Sequence, residues 1–235
     1  MAEPKISVIV PAHNEELTLG PTLASLVAQD CPDFEIVVAC NDCTDETAAV
    51  AARYPGVRVV QTELSGMSFG KNFGAAHAHG ALLIFVDADT TLPPDGLRRI
   101  VIAVGDRPQV IGTLPGCPDR GGLVVRVCFM IANHVTRRNR VHAPGGVMVM
   151  QRTVFDAVQG FDEKLPQGTS TDLIMRAMAA GAEYLFVSRV KGKTSIRRFE
   201  KRGIIRQMLD WRHNHQQMSA GQHSELSKSK YDNFR

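Results

Sequence analysis

Residues 81–95, ALLIFVDADTTLPPD, run through a continuous apolar segment and end on two carboxylates one residue apart. A short apolar run that stops at a proline turn is typical of a strand buried on both faces of an α/β sheet. Ligands of such sheets bind just beyond the carboxyl ends of the strands. Asp87 and Asp89 therefore suit a divalent cation, because Mg²⁺ typically takes one or two carboxylates plus substrate phosphates. The other interpretation is an acidic turn in which an aspartate caps the following helix.

The residues before this stretch alternate between strand and helix patterns. Strands are predicted over residues 5–12, 34–40 and 57–62, and helices over 15–29, 44–54 and 71–79. Alternation of this kind implies a parallel sheet with right-handed crossovers. The turns after the first two strands are then expected at the same sheet edge as Asp87 and Asp89.

Beyond Pro94 the pattern changes. Residues 122–140 predict an amphipathic helix with a basic end, which either packs on the sheet and partly covers the site or lies on a membrane surface. Residues 147–163 predict a strand and a short helix, 169–181 a capped helix, and 182–188 a strand. The last residues, 204–235, are expected to form a basic, partly mobile extension.

The composition limits the class of protein. With 235 residues and 44% hydrophobic composition, the chain can bury the core of a large α/β domain. A net charge of +3 is too small to imply nucleic-acid binding. The sequence contains no apolar run of about 18 residues, so no membrane span is expected. The N-terminus lacks a signal-peptide pattern, so we expect a cytoplasmic protein, with peripheral contact at the inner face of the membrane as a further option.

Four segments occur in an order that resembles the inverting glycosyltransferases of family 2, which have the GT-A fold. They are VIVPAHNEE (8–16), VVACNDCTDETA (37–48), GMSFGKNFGAAHAHG (66–80) and IFVDADTTLPPD (84–95). The resemblance covers residues 5 to about 203 and implies one domain, with a nucleotide-binding half over 1–95 and an acceptor half over 96–203. It implies a mixed, mainly parallel sheet with helices on both faces. It also implies a nucleotide-diphosphate-sugar donor and Mg²⁺ or Mn²⁺ as cofactor.

The resemblance assigns expected roles by position. Asp89 is the expected principal metal ligand, while Asp87 binds the ribose or assists at the metal. The other expected nucleotide-binding residues are Pro11, Ala12, His13, Asn14, Glu15, Asn41, Gly66, Lys71 and Ala88. The residues expected near phosphate or acceptor are Gly145, Gly146, Arg197 and Arg198, and His213 is a candidate third metal ligand. Each has a plainer alternative, such as a capping residue or a solvated side chain.

The motif for the catalytic base departs from the family pattern. The family usually carries Glu-Asp followed by x-Asp-Leu, whereas this chain has Thr169 and Ser170 in place of the acidic pair. Asp172 keeps its position and is the predicted base that deprotonates the acceptor hydroxyl. The alternatives are a first-turn acid interacting with the helix dipole, or a changed mechanism or lost activity marked by Ser170.

Three other interpretations remain open at this point. CNDC (40–43) has the spacing of a redox or zinc pair, although Cys43 also fits a small turn position in the resemblance. FVDADTTL fits the first motif of haloacid-dehalogenase phosphatases, but three strand–helix units precede it and GDRPQV (105–110) lacks that family's later acid. The third is a catalytically silent nucleotide-sugar binding protein. Among transferases, the absence of spans favours a non-processive hexosyltransferase over a processive synthase.

Overall fold

The computed structural model describes residues 5–141, 145–165 and 168–197, and arranges them as helices around a central sheet. In chain order the elements are β1 (Ile6–Ala12), α1 (Leu19–Val27), β2 (Phe34–Asn41), α2 (Thr47–Ala52), β3 (Val57–Thr62), α3 (Met67–Ala76), β4 (Leu82–Val86), β5 (Thr90–Thr91), α4 (Gly96–Val104), β6 (Val110–Thr113), β7 (Gly116–Pro118), α5 (Leu123–Asn139), β8 (Val147–Gln151), α6 (Arg152–Ala157), α7 (Thr169–Ala179), β9 (Glu183–Phe186) and β10 (Gly192–Thr194).

The large sheet has the strand order β3-β2-β1-β4-β8-β6-β9. The first four strands are parallel, with Ile6 opposite both Phe34 and Leu82. Strand β8 runs antiparallel to both of its neighbours, and β6 pairs with β9 in parallel. This arrangement confirms the predicted mixed, mainly parallel sheet. It brings the carboxyl ends of β1, β2 and β4 to one edge.

Side chains alternate between two cores, one on each face of the sheet. Val8 and Val10 pack with Leu23 of α1 and Ile100 of α4 on one face. Ile9, between those valines, packs on the other face in a cluster that includes residues of α3, α6 and α7. Helices therefore cover both faces, as predicted. This coverage explains why β4 is apolar at every position.

Several helices begin at residues other than those predicted from the sequence. Helix α3 begins at Met67 rather than at residue 71, because Gly66, with φ 130°, forms its N-cap. A conformation with φ in this range is open to glycine but strained for other residues. Helix α1 begins at Leu19, four residues later than predicted, since residues 13–16 form the turn that leaves β1. Helix α4 and strand β6 were not predicted.

A second, small sheet has the order β5-β10-β7. It joins the two residues that follow the acidic strand end to residues 192–194, about a hundred positions later. Strand β7 pairs with β10 on its other side. The small sheet therefore fixes the turn that carries Asp87 and Asp89.

Helix α5 lies against β7. Within the described ranges, no helix is long and apolar enough to cross a membrane. Arg198, His213 and the extension 204–235 lie outside the described residues, so their predicted roles stay predictions. The proposed division into halves is likewise still a prediction.

Candidate functional site

The acidic pair sits where β4 leaves the large sheet. Asp87 and Asp89 are half-buried, whereas Ala88 between them is buried, and its carbonyl accepts a hydrogen bond from Thr22 at 2.9 Å. The Asp87 N–H donates to the Gly146 carbonyl at 2.8 Å. The backbone of the pair is therefore held from both α1 and the start of β8.

Gly146 is required here for a steric reason. Its φ is 60°, and a Cβ on it would lie 2.5 Å from Thr90 Oγ1 and 3.0 Å from Asp87 Oδ2. Any side chain would therefore displace the Asp87 carboxylate. Gly145 is equally crowded, because a Cβ there would lie 2.7 Å from the Leu114 carbonyl. The structure thus brings Gly146 against Asp87 and Gly145 against the backbone of Leu114, and their contact with an acceptor stays a prediction.

Asp89 is positioned by β10, which sequence reasoning missed. Thr194 Oγ1 lies 3.4 Å from Asp89 Oδ1 and 3.1 Å from Thr90 Oγ1. The Ser195 N–H donates to the Asp89 carbonyl at 3.0 Å. Nothing in a three-residue strand signals a partner a hundred residues away, so only the fold reveals these supports.

The donor set fits Mg²⁺ or Mn²⁺ shared with a substrate. Within the described part of the chain, no group of three His, Cys, Asp or Glu side chains could hold a metal by itself. Two carboxylates on a turn fixed by two sheets are what such ions use together with substrate phosphates. Asp89, with Asp87, would hold the ion.

The turn after β1 is tied to the turn after β2. His13 Nδ1 lies 2.8 Å from the Asn41 carbonyl oxygen, so this nitrogen carries the proton. Asn14, at φ 54°, accepts at its side-chain oxygen from the Thr44 N–H at 2.8 Å. His13 and Asn14 are exposed, beyond the half-buried Pro11. The predicted nucleotide residues of these two turns therefore lie together.

Glu15 and Arg197, predicted independently, form an ion pair. Arg197 Nη2 lies 2.8 Å from Glu15 Oε2, and Thr18 donates to the same oxygen. The Glu15 side chain is 10% exposed and that of Arg197 33%. This pair links the turn after β1 to the segment after β10.

Asn41, the last residue of β2, contacts the N-terminal part of α3. Its side-chain amide donates to the Gly66 carbonyl at 3.3 Å, and a Cβ on Gly70 would lie 2.5 Å from its Oδ1. Gly70 therefore lets α3 approach the asparagine, while Gly66 forms the N-cap of that helix. Contact of Asn41 with a base is still a prediction.

Lys71 is buried between α3 and α7 rather than solvated. Its Nζ donates to Ser170 Oγ at 3.2 Å and lies 5.1 Å from the centre of the Phe161 ring. A cation over an aromatic face is stabilised by the ring quadrupole. The hydroxyl of Ser170, at the position where the family carries an acid, is thus a neutral partner for this cation.

Asp172 pairs with Arg176 one turn further along α7. Arg176 Nε and Nη2 both lie 2.7 Å from Asp172 Oδ2. Arg176 also donates to the carbonyls of Val158 and Gly160, at 2.6 and 2.9 Å. The i,i+4 spacing of opposite charges was a readable signal for this pair. The carboxylate is held by its Oδ2.

The thiols of Cys40 and Cys43 are neighbours beside a cavity of about 440 Å³ that is also lined by Asp42, Thr62 and Glu63. A hydrogen bond from the Cys40 thiol lowers the pKa of Cys43 to about 6, with a smaller contribution from the Asn14 N–H and against the effect of burial. Cys43 Sγ also lies 3.4 Å from the Ala12 carbonyl, a contact in which only the protonated thiol donates. Redox use of the pair stays untested.

Comparison with known proteins identifies what the chain resembles. Residues 7–159 match the sequence family described as glycosyl transferase family 2. The undecaprenyl-phosphate 4-deoxy-4-formamido-L-arabinose transferase of Enterobacter sp. is 31% identical over 121 residues, 47% of this chain and 36% of that protein. The 4,4'-diaponeurosporenoate glycosyltransferase of Staphylococcus aureus is 38% identical over 103 residues, 41% of this chain and 27% of that protein. The matched regions thus span about a third of these relatives.

A solved structure shares the fold. The mannosyltransferase from Pyrobaculum calidifontis, in complex with GDP-Man and Mn²⁺, superposes with a TM-score of 0.71 at 20% identity. The match covers 86% of this chain and 59% of the mannosyltransferase. At this identity the likeness shows the fold.

Proposed function

Because the chain belongs to glycosyltransferase family 2, we propose that it moves a sugar from a nucleotide-diphosphate donor to an acceptor hydroxyl, with inversion at the anomeric carbon. The observation that carries this proposal is the meeting of three strand ends at one edge. There the turns after β1 and β2 lie together, and the acidic turn after β4 is fixed by Gly146 and Thr194. The family match includes the FVDADTTL stretch, so the phosphatase interpretation is not carried further.

On the donor side, the turn residues His13, Asn14 and Asn41 would bind the nucleoside, and Asp87 its ribose. Lys71 would place positive charge near the diphosphate, and Asp89 with Asp87 would hold Mg²⁺ or Mn²⁺. The bound cation would offset the negative charge that develops on the leaving nucleoside diphosphate.

On the acceptor side, Asp172 is the proposed general base. Arg176 holds one carboxylate oxygen, Oδ2, so it orients the group. The other oxygen, Oδ1, would take the proton of the acceptor hydroxyl as the acceptor oxygen attacks the anomeric carbon. The bond from that carbon to the phosphate oxygen then breaks, and the nucleoside diphosphate leaves with the electron pair.

The transferred group is proposed to be a hexose moved in single transfers. The Enterobacter relative is named for undecaprenyl phosphate, which supports a lipid as one acceptor class to test. Glycan and small-molecule acceptors are equally compatible with the residues of the site.

The experiment that tests the proposal follows slow donor hydrolysis by ¹H NMR. Protein at high concentration would be mixed with Mg²⁺ and an α-linked donor, either UDP-glucose or GDP-mannose. We expect nucleoside diphosphate and the β-anomer of the free sugar to appear first for one donor, since water replaces the acceptor with inversion.

Three other results would count against the proposal in different ways. First appearance of the α-anomer would contradict inversion. Release of inorganic phosphate would point to phosphatase chemistry. Donor binding without any turnover, with each acceptor class also present, would favour the silent binding protein that Ser170 first suggested.

A further inference from the structure

Helix α5 attaches to the rest of the molecule through one narrow stripe. Phe129 and Thr136 are its two buried residues among those described. Between them, the Asn133 side chain donates to the Gly116 carbonyl at 2.8 Å and accepts from the Gly116 N–H at 2.9 Å. These residues recur at intervals of three and four, so they define one face of the helix, directed at β7.

The opposite face of α5 is largely apolar and exposed, with His134 as a polar residue within it. At 100° per residue, the exposed apolar side chains occupy an arc of about 140° centred roughly opposite the Phe129–Thr136 stripe, over about 18 Å of helix. They are Leu123, Val124, Val127, Met130, Ile131 and Val135, which are between 40% and 77% exposed. We call these six residues the outer face. A contiguous exposed patch of this kind marks an interaction surface.

The charges on α5 have a single sign. Residues 121–141 contain no Asp or Glu, and they contain Arg126, Arg137, Arg138 and Arg140. By their spacing, Arg126 and Arg137 lie along one border of the outer face and Arg138 at its C-terminal end, while Arg140 is the C-cap residue that ends the helix. An apolar face bordered by arginines without acids is complementary to a partner that is apolar inside and negatively charged at its surface.

Two other occupants fit this charge pattern less well. A second copy would bring two acid-free helices together, each with several arginines, at a cost in repulsion. The 38 residues after Arg197 contain eight Lys or Arg and four Asp or Glu, so they too are net positive. An anionic lipid surface has the opposite charge and an apolar layer beneath its headgroups.

We propose that α5 lies flat on an anionic phospholipid bilayer, with its outer face at the boundary between headgroups and acyl chains. The arginines contact the lipid phosphates, and the Phe129–Thr136 stripe keeps the helix anchored on β7. The proposal does not depend on the transfer reaction or on the identity of the acceptor.

The test is co-sedimentation of the full chain with vesicles. We expect at least tenfold tighter binding to phosphatidylcholine vesicles with 30% phosphatidylglycerol than to pure phosphatidylcholine, and weaker binding at high salt. Met130→Glu should weaken binding at least tenfold, because it places a charge in the outer face. Arg137→Gln with Arg138→Gln should weaken it about fivefold per arginine.

Ile102→Glu is the matched control. Ile102 of α4 is 65% exposed and Met130 is 69% exposed, so the two substitutions place the same charge at similarly exposed positions. Ile102→Glu should leave vesicle binding unchanged, and thermal unfolding checks that all variants fold. Equal loss in both variants, or equal binding to both vesicle types, would overturn the proposal. Failure to bind either type of vesicle would also overturn it. A dimer in sedimentation velocity that Met130→Glu dissociates would then assign the outer face to a second copy of the chain.

Discussion

Asp89→Ala is expected to reduce donor turnover by about a thousandfold or more, measured as release of nucleoside diphosphate. The carboxylate is the proposed principal ligand of the divalent cation, and such electrostatic contributions to a transition state are worth several kcal/mol. The backbone N–H and carbonyl contacts of the turn remain in the variant, so its thermal unfolding without ligand should stay near that of the wild type.

Asp106→Ala is the matched control for this prediction. Asp106 is an exposed acid in the turn after α4, away from the edge where β1, β2 and β4 end. Its removal should leave turnover unchanged. If Asp89→Ala kept turnover within tenfold of the wild type, the assignment of the metal to the acidic pair would be wrong.

Asp172→Asn is expected to lower turnover by a factor of about 10² to 10⁴, the usual contribution of a general base. The amide keeps the shape of the side chain but cannot take the acceptor proton. Donor binding, measured by the shift in unfolding temperature on adding nucleotide and Mn²⁺, should stay close to that of the wild type.

The Arg176→Met variant distinguishes a catalytic role of Asp172 from a purely structural one. That variant breaks the same ion pair and also removes the bonds to the Val158 and Gly160 carbonyls, so it should destabilise the protein more than Asp172→Asn does. If Asp172 is the base, Arg176→Met nevertheless retains more turnover. Equal losses in the two variants, or near-normal turnover in Asp172→Asn, would reject the base assignment.

The first half of the fold was predictable because its signals are local. The strands β1 to β4 are short runs rich in apolar residues, and helices α1 to α3 connect them in turn, so the parallel order and the shared edge follow from general rules. The acidic pair could be assigned to that edge for the same reason. The direction of β8 could not be predicted in this way, because an antiparallel strand has the same local sequence pattern as a parallel one.

The supports of the site were not predictable from local pattern. The contact of Thr194 with Asp89 joins residues 105 positions apart, and that of Lys71 with Ser170 joins residues 99 apart. Both arise from packing of elements that each lack a distinctive motif. Lys71 illustrates the consequence: its sequence suggested either a diphosphate contact or a solvated side chain, and the fold buries it.

The most direct test of the account is thermal unfolding with UDP, GDP, dTDP and CDP, each with and without Mn²⁺. A ligand at about 100 times its Kd stabilises the folded state by about 2.7 kcal/mol. For a chain of this size, that corresponds to a rise of about 5–10 °C in unfolding temperature. We predict such a rise with one nucleotide, dependent on Mn²⁺ and lost in Asp89→Ala. No shift with any nucleotide at millimolar concentration, or the same shift in Asp89→Ala, would contradict the proposed metal-dependent donor site.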